Sequence, residues 1–139
     1  MTSRRGFLST AAALFAVPLL ADDAPQLSSF GKTFGELEAK ESATGRSRPI
    51  LKGVSPSTGI TIEAHQTTLL PGKSPHPPHH HVHDELFLVR AGSLDYTVNG
   101  KTYHLGPGSA ALATNNEEHT VRNVGADPAE YFVVAIGKD

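Results

Sequence analysis

Three histidines and a glutamate have the types and spacing to do chemistry in this chain: His79-x-His81-x-x-x-Glu85, answered further on by His119 ahead of Asn123. Imidazole nitrogen and carboxylate oxygen, with no cysteine anywhere in the chain, suit a divalent first-row metal ion such as Fe, Mn, Ni, Cu or Zn. His79, His81, Glu85 and His119 are therefore the expected ligands. Four protein ligands leave two positions of an octahedron to water or substrate. Such an ion could activate dioxygen, polarise a carbonyl or enol, or lower the pKa of bound water. Glu85 is in addition the candidate catalytic base, if it swings off the ion to take a proton.

Those side chains converge only if the backbone lets them. On a strand, alternate residues share a face, so His79, His81 and Glu85 have common parity. On a helix, positions 79 and 81 would be roughly 200° apart. Pro75, Pro77 and Pro78 just upstream remove amide donors and disfavour helix. Extended structure is expected there. A turn between His81 and Glu85 would break simple parity, although two strands meeting at that point could still aim all three inward.

The rest of the chain reads as short strands punctuated by turns. Ile60, Ile62 and Ala64 alternate with Thr61, Glu63 and His65 before the Pro71-Gly72 turn. Leu86–Arg90 stops at Ala91-Gly92; Leu94, Tyr96 and Val98 alternate up to Asn99-Gly100, a strong hairpin signal because both central residues of a type I′ turn need positive φ. Lys101–Leu105, Ala110–Thr114, His119–Val124 and Glu130–Ile136 complete the series. Before them, Arg48-Pro49-Ile50-Leu51 looks like an edge strand, where proline is tolerated, and Phe34–Lys40 fits either a short strand or a helical turn. About seven or eight strands at short spacing predict an all-β sandwich or closed barrel. Leu86–Val89 and Tyr131–Ile136 are apolar on both faces, which predicts a cover for the outer face, either a further sheet or a second subunit. A homodimer is the expectation.

At 139 residues, with 38% hydrophobic and 19% charged residues, the chain suits one domain. A formal charge of -2 and the lack of any lysine or arginine run after residue 21 exclude a nucleic-acid footprint. Neither a glycine-rich phosphate loop nor a G-x-S-x-G elbow is present, so nucleotide transfer and serine hydrolysis have no support. The amino terminus, Ser3-Arg4-Arg5-Gly6-Phe7-Leu8 and an apolar run to Ala21, resembles a twin-arginine export signal. That implies a periplasmic or extracellular protein, carried out already folded. The run is short for a membrane span of roughly 20 apolar residues and contains Pro18, so no stable membrane insertion is expected after processing. The expected organisation is a signal over 1–21, a lead-in with edge strands over 22–58, and a barrel over 59–137.

The glycine–His-x-His–Glu–glycine string from Gly72 through His79, His81 and Glu85 to Gly92, followed by His119-x-x-x-Asn123, resembles the two motifs of the cupin superfamily. The first motif fits with one extra residue in its first gap. In the second, the family's proline and glycine are replaced, and Asn116, tolerant of the left-handed region, takes the glycine's place in the turn. The resemblance implies a small antiparallel jelly-roll barrel, maps His79, His81, Glu85 and His119 onto the four usual ligands, and makes Asn123 structural. It implies a metal-dependent enzyme acting on a small organic molecule, with dioxygenase-type chemistry ahead of isomerase or hydrolase chemistry. The alternative is a barrel that binds a metal or small molecule for storage or sensing without turnover. His76, His80, His83 and His104 are read as exposed or supporting residues, and His65 with Glu63 as either cavity lining or a solvated face.

Overall fold

The computed structural model describes residues 24–138; the amino-terminal signal expected over 1–21 lies outside them. Among the described residues there is a single short 3-10 turn, Phe34–Glu36, and the rest of the regular structure is strand. In chain order the strands are β1 (Lys40–Ser42), β2 (Gly45–Val54), β3 (Thr61–Leu69), β4 (Asp84–Ala91), β5 (Leu94–Val98), β6 (Lys101–Leu105), β7 (Ala110–Ala113), β8 (His119–Asn123) and β9 (Ala129–Ile136). They form a six-stranded sheet, β1-β2-β3-β9-β4-β7, and a three-stranded sheet, β6-β5-β8. Every strand pair within them is antiparallel. The all-β jelly-roll expectation holds.

Alternation sorts the two faces. Phe87 and Val89 of β4 and Tyr131 and Val133 of β9 point inward, where they meet Leu94 and Tyr96 of β5 and Val121 of β8 in one buried cluster. The Phe87 ring lies 5.8 Å from that of Tyr131 in the same sheet and 4.9 Å from that of Tyr96, a tilted contact that ties the two sheets together. Of the intervening residues of β4 and β9, Leu88 and Ile136 are exposed on the outer face, as is Leu112 of β7, while Leu86, Phe132 and Val134 are half-buried. The doubly apolar strands thus have one face in the core and one only partly covered in the single chain.

Turn chemistry follows the sequence closely. Asn99 and Gly100 have φ of 47° and 76°, the positive pair a type I′ hairpin requires. Gly92, where the chain passes from the large sheet to the small one, has φ of 88°, and a Cβ there would sit 2.6 Å from Ala129 Cβ. Both facts demand glycine.

Two local elements are settled in detail by the structure. The edge strand at Arg48–Leu51 is the middle of the longer β2, and Pro49 falls at a register shift between Pro49 and Leu51, beyond the reach of β1, whose pairing stops at Ser47. An edge and a bulge are the places where a missing amide is harmless. The ambiguous stretch from Phe34 resolves as the 3-10 turn, with Glu36 accepting hydrogen bonds from the amide and hydroxyl of Thr33 at 2.6 and 2.8 Å. Phe34 then lies under the guanidinium groups of Arg48 and Arg90, so the amino-terminal segment crosses the outer face of the large sheet.

Candidate metal centre

The three expected histidine ligands come together, with Glu85 against two of them, but not by parity along one strand. β4 starts only at Asp84, and the chain bends at 82–83. His79 is instead paired to β8: its amide donates to the His119 carbonyl at 3.1 Å and its carbonyl accepts from the His119 amide at 2.9 Å. His81 is held from the other side, its carbonyl accepting from the Asn116 amide at 2.8 Å. Glu85 belongs to β4 and His119 to β8, so the cluster spans both sheets and a loop.

The rings of His79, His81 and His119 are 4.7–5.4 Å apart between centroids, and one nitrogen from each lies within 4.8 Å of the others. Each ring is locked by its Nδ1, which donates to a backbone carbonyl two residues away: His79 to Pro77 at 3.1 Å, His81 to His83 at 3.1 Å and His119 to Glu117 at 2.9 Å. A carbonyl only accepts, so Nδ1 must carry the proton in all three, and Nε2 is left to face the centre. Outer hydrogen bonds of this kind fix tautomer and orientation in metal-ligating histidines.

Glu85 stands beside two of the three, with Oε2 3.2 Å from His119 Nε2 and Oε1 3.1 Å from His81 Nε2. Burial alone would push its carboxyl up; while these imidazoles also carry a proton on Nε2, the hydrogen bond from His119, the attraction of His81 and the hydrogen bond from His83 outweigh burial and hold it down at about 2. The hydrogen bond to Glu85 raises His119 against the opposing effect of burial. His81 Nε2 is buried and has no hydrogen-bond partner; in the neutral ring its proton is on Nδ1 and Nε2 turns a lone pair toward the carboxylate. A buried lone pair beside a carboxylate calls for a cation shared by the cluster. The 3.2 Å between Glu85 Oε2 and His119 Nε2 is close to the roughly 3.0 Å between neighbouring ligands that are each about 2.1 Å from one ion. The donor set fits a divalent metal.

Beside this cluster a cavity of about 430 Å³ opens between the sheets. Glu85, His79 and His119 lie on one side, Phe87, Tyr131 and Val133 give it an apolar wall, and His65, Glu63 and Thr67 line its polar end. His65 and Glu63 are thereby cavity residues, with Glu63 also paired to Lys52 at 2.8 Å. In the strand register Glu85 stands opposite Ala135, and Ala135 opposite Glu63, so one strand position separates the two carboxylates.

The remaining histidines divide. His80 is exposed and His104 pairs with Asp95. His76 lies edge-on to His79 with ring centroids 5.4 Å apart. His83, read from sequence as exposed or supporting, takes the supporting place: its ring stacks on His81 at 3.7 Å and its Nε2 is 3.3 Å from Glu85 Oε1. It shares the odd parity of His79, His81 and Glu85, and the bend at 82–83 brings its ring onto that of His81.

The turn before His119 works without the family's proline and glycine. Asn116 has φ of 59°, and Glu117 accepts from the Thr114 amide at 2.8 Å, the Thr114 hydroxyl at 2.9 Å and Asn99 Nδ2 at 2.9 Å. Asn123 is fully buried and far from solvent chemistry: its Nδ2 donates to the carbonyls of Leu69 and Asp127, each at 2.8 Å, and its Oδ1 accepts from the Gly125 amide at 2.9 Å.

A histidine–glutamate cluster set between the sheets of a small jelly roll defines a class of metal-competent β-barrels. A family model described as a cupin domain matches residues 65–135, and the chain belongs to that family. Among curated proteins it is similar to L-ectoine synthases of Bordetella parapertussis and Bordetella bronchiseptica, 32% identical over 62 residues, 44% of this chain and 47% of each of theirs. The match thus spans about half the length of those relatives. Among solved structures it is similar to KdgF from a Halomonas species (18% identity, TM-score 0.67, covering 81% of this chain and 97% of that one). An RmlC-like cupin from Shewanella frigidimarina is comparable (14% identity, TM-score 0.66, 80% and 93%), as is a predicted oxalate decarboxylase from Thermotoga maritima (20%, TM-score 0.60, 75% and 96%). At these identities the structural likeness establishes the fold alone.

Proposed function

We propose that this protein is an exported, metal-dependent cupin enzyme that acts on a small organic molecule, with oxygenase-type chemistry foremost. The observation that carries the metal reading is the buried, partnerless Nε2 of His81 beside the Glu85 carboxylate, next to two further imidazoles whose Nδ1 protons are committed to backbone carbonyls. His79, His81, Glu85 and His119 would hold the ion. When bound, a redox-active ion of this kind supplies dioxygen chemistry, and a redox-inert one supplies Lewis acidity.

The chain's own residues do the rest. Phe87, Tyr131 and Val133 exclude water along one wall, which strengthens electrostatic interactions inside. His65 and Thr67 offer hydrogen bonds to a polar end of the ligand. Glu85 becomes the base for a substrate carbon or hydroxyl when it swings off the ion and away from the imidazoles that hold its carboxyl down. The L-ectoine synthase match and the cavity beside the cluster support a small-molecule substrate, and the Ser3–Ala21 string supports export.

The test is metal analysis of the protein recovered from its exported compartment, together with oxygen uptake and product formation against a panel of small hydroxy and keto acids. One ion per chain, lost in His79→Ala and His119→Ala, together with turnover that vanishes in the same variants, supports an enzyme. Binding without consumption would make it a storage or sensing barrel. Protein with no stoichiometric metal would overturn the reading.

A further inference from the structure

The two oxygens of Glu85 are not equivalent. Oε2 faces His119 Nε2 at 3.2 Å, while Oε1 lies 3.1 Å from His81 Nε2 and 3.3 Å from His83 Nε2. His83 is not among the ligands expected from spacing or family resemblance, yet three of its groups touch the cluster. Its carbonyl accepts the His81 Nδ1 proton at 3.1 Å. Its ring stacks on His81 with centroids 3.7 Å apart and planes within 13°. Its Nε2 donates to Glu85. The side chain is only 13% exposed, and Gly137 backs onto it closely enough that a Cβ there would lie 3.4 Å from His83 Cα and Cβ.

These contacts decide between two roles. His81, His83 and Glu85 are dense enough to gather around a cation by themselves, with ligand atoms within 4.8 Å of one another. But imidazole lone pairs lie in the ring plane, and two nearly parallel rings 3.7 Å apart direct theirs side by side instead of toward a common point. One ion cannot lie in both planes. His81 has a single free nitrogen, already directed at the cluster with His79 and His119, so His83 is not a partner ligand to it.

We propose that His83 is a positioning residue: it holds Oε1 of Glu85 by a hydrogen bond, so that the carboxylate offers an ion Oε2 alone, and its stacked ring fixes the plane of His81. One-oxygen ligation keeps the ion's remaining positions open to a substrate. This rests on the metal reading above and deepens it.

The experiment titrates cobalt(II) into the metal-stripped full chain, because the visible absorption of cobalt(II) reports coordination number. His83→Phe keeps an aromatic ring against His81 and removes the donor; His83→Gln restores an amide donor without the ring; His80→Ala is the exposed control. The expected result is one cobalt(II) per chain in every variant, with affinity about 10- to 100-fold lower in His83→Phe. Its absorption band should shift as Oε1 joins the ion, whereas His83→Gln returns toward the wild-type band. Urea midpoints of the metal-free proteins separate this from a packing defect, which would move the midpoint and leave the band in place. Unchanged affinity and band in His83→Phe overturns the proposal. So does complete loss of cobalt(II) in either variant, as in His119→Ala, which would make His83 a ligand. If His83→Phe does not fold, the wild-type-like band expected of His83→Gln carries the test, and a shifted band there refutes it. Wild-type protein that takes up no cobalt(II) overturns the metal reading and this inference with it.

Discussion

Glu85 and His119 stand on strands of different sheets, and their side chains meet at 3.2 Å between Oε2 and Nε2. An ion held by both would cross-link the halves of the barrel. Adding zinc(II) at a hundredfold excess over its Kd should stabilise the folded state by about 2.7 kcal/mol, a rise of roughly 10 °C in melting temperature for a domain of this size. Differential scanning calorimetry should show that rise in the wild type and lose most of it in Glu85→Gln.

Gly92 combines φ of 88° with a 2.6 Å approach of any added Cβ to Ala129. Gly92→Ala should destabilise the protein by about 2–4 kcal/mol, from backbone strain and a steric clash together. Urea denaturation measures it, with Gly100→Ala as the comparison: that residue also has positive φ but open space around it, so it should lose only the strain part.

Asn123 makes three side-chain hydrogen bonds while fully buried. Asn123→Ala leaves the carbonyls of Leu69 and Asp127 short of a donor and should cost about 2–4 kcal/mol. Metal stoichiometry should be unchanged, since the side chain touches no candidate ligand. Loss of the ion in a folded Asn123→Ala protein would contradict a purely structural role.

The spacing of His79, His81, Glu85 and His119 was legible because each sits beside a local signal: prolines, a turn, a hairpin. Asn99-Gly100 and Asn116 could be read for the same reason, since positive φ is a property of one or two residues. His83 was legible only in part: it shares parity with Glu85, which allows a supporting role, but its stacking on His81 depends on the bend at 82–83 and on β4 starting at Asp84, where register with β9 sets in. The crossing of the amino-terminal segment over the large sheet was hidden, because Phe34 meets Arg48 and Arg90 across strands far apart in sequence.

His65 is shifted downward, chiefly by burial, with Glu85 and Glu63 opposing and His76 adding to the shift. The folded state therefore favours the neutral ring, and below the ordinary value of 6.5 the unfolded chain binds more protons. Stability should be full above that pH and decline as pH falls below it. The His65 ring protons should titrate with a midpoint below 6.5 by NMR, and His65→Gln should be less pH-sensitive in urea denaturation than the wild type between about pH 7 and pH 5.

Leu88, Leu112 and Ile136 leave 41–52% of their surface exposed, and Leu86 lies between Leu112 and Val134 in the register. A contiguous apolar sheet face of this kind supports a homodimer. Light scattering at micromolar concentration should give twice the chain mass, and Leu112→Asp should return the monomer with its fold intact by circular dichroism.

His79 is sewn to β8 by a pair of backbone hydrogen bonds, and the segment behind it carries three prolines. An ion fastened there would act as a rivet through the mouth of the barrel, so scarcity of that element would do more than silence the chemistry. The loop from 76 to 83 would be the first part to work loose, offering proteases an opening. The abundance of the protein would then follow the supply of its metal.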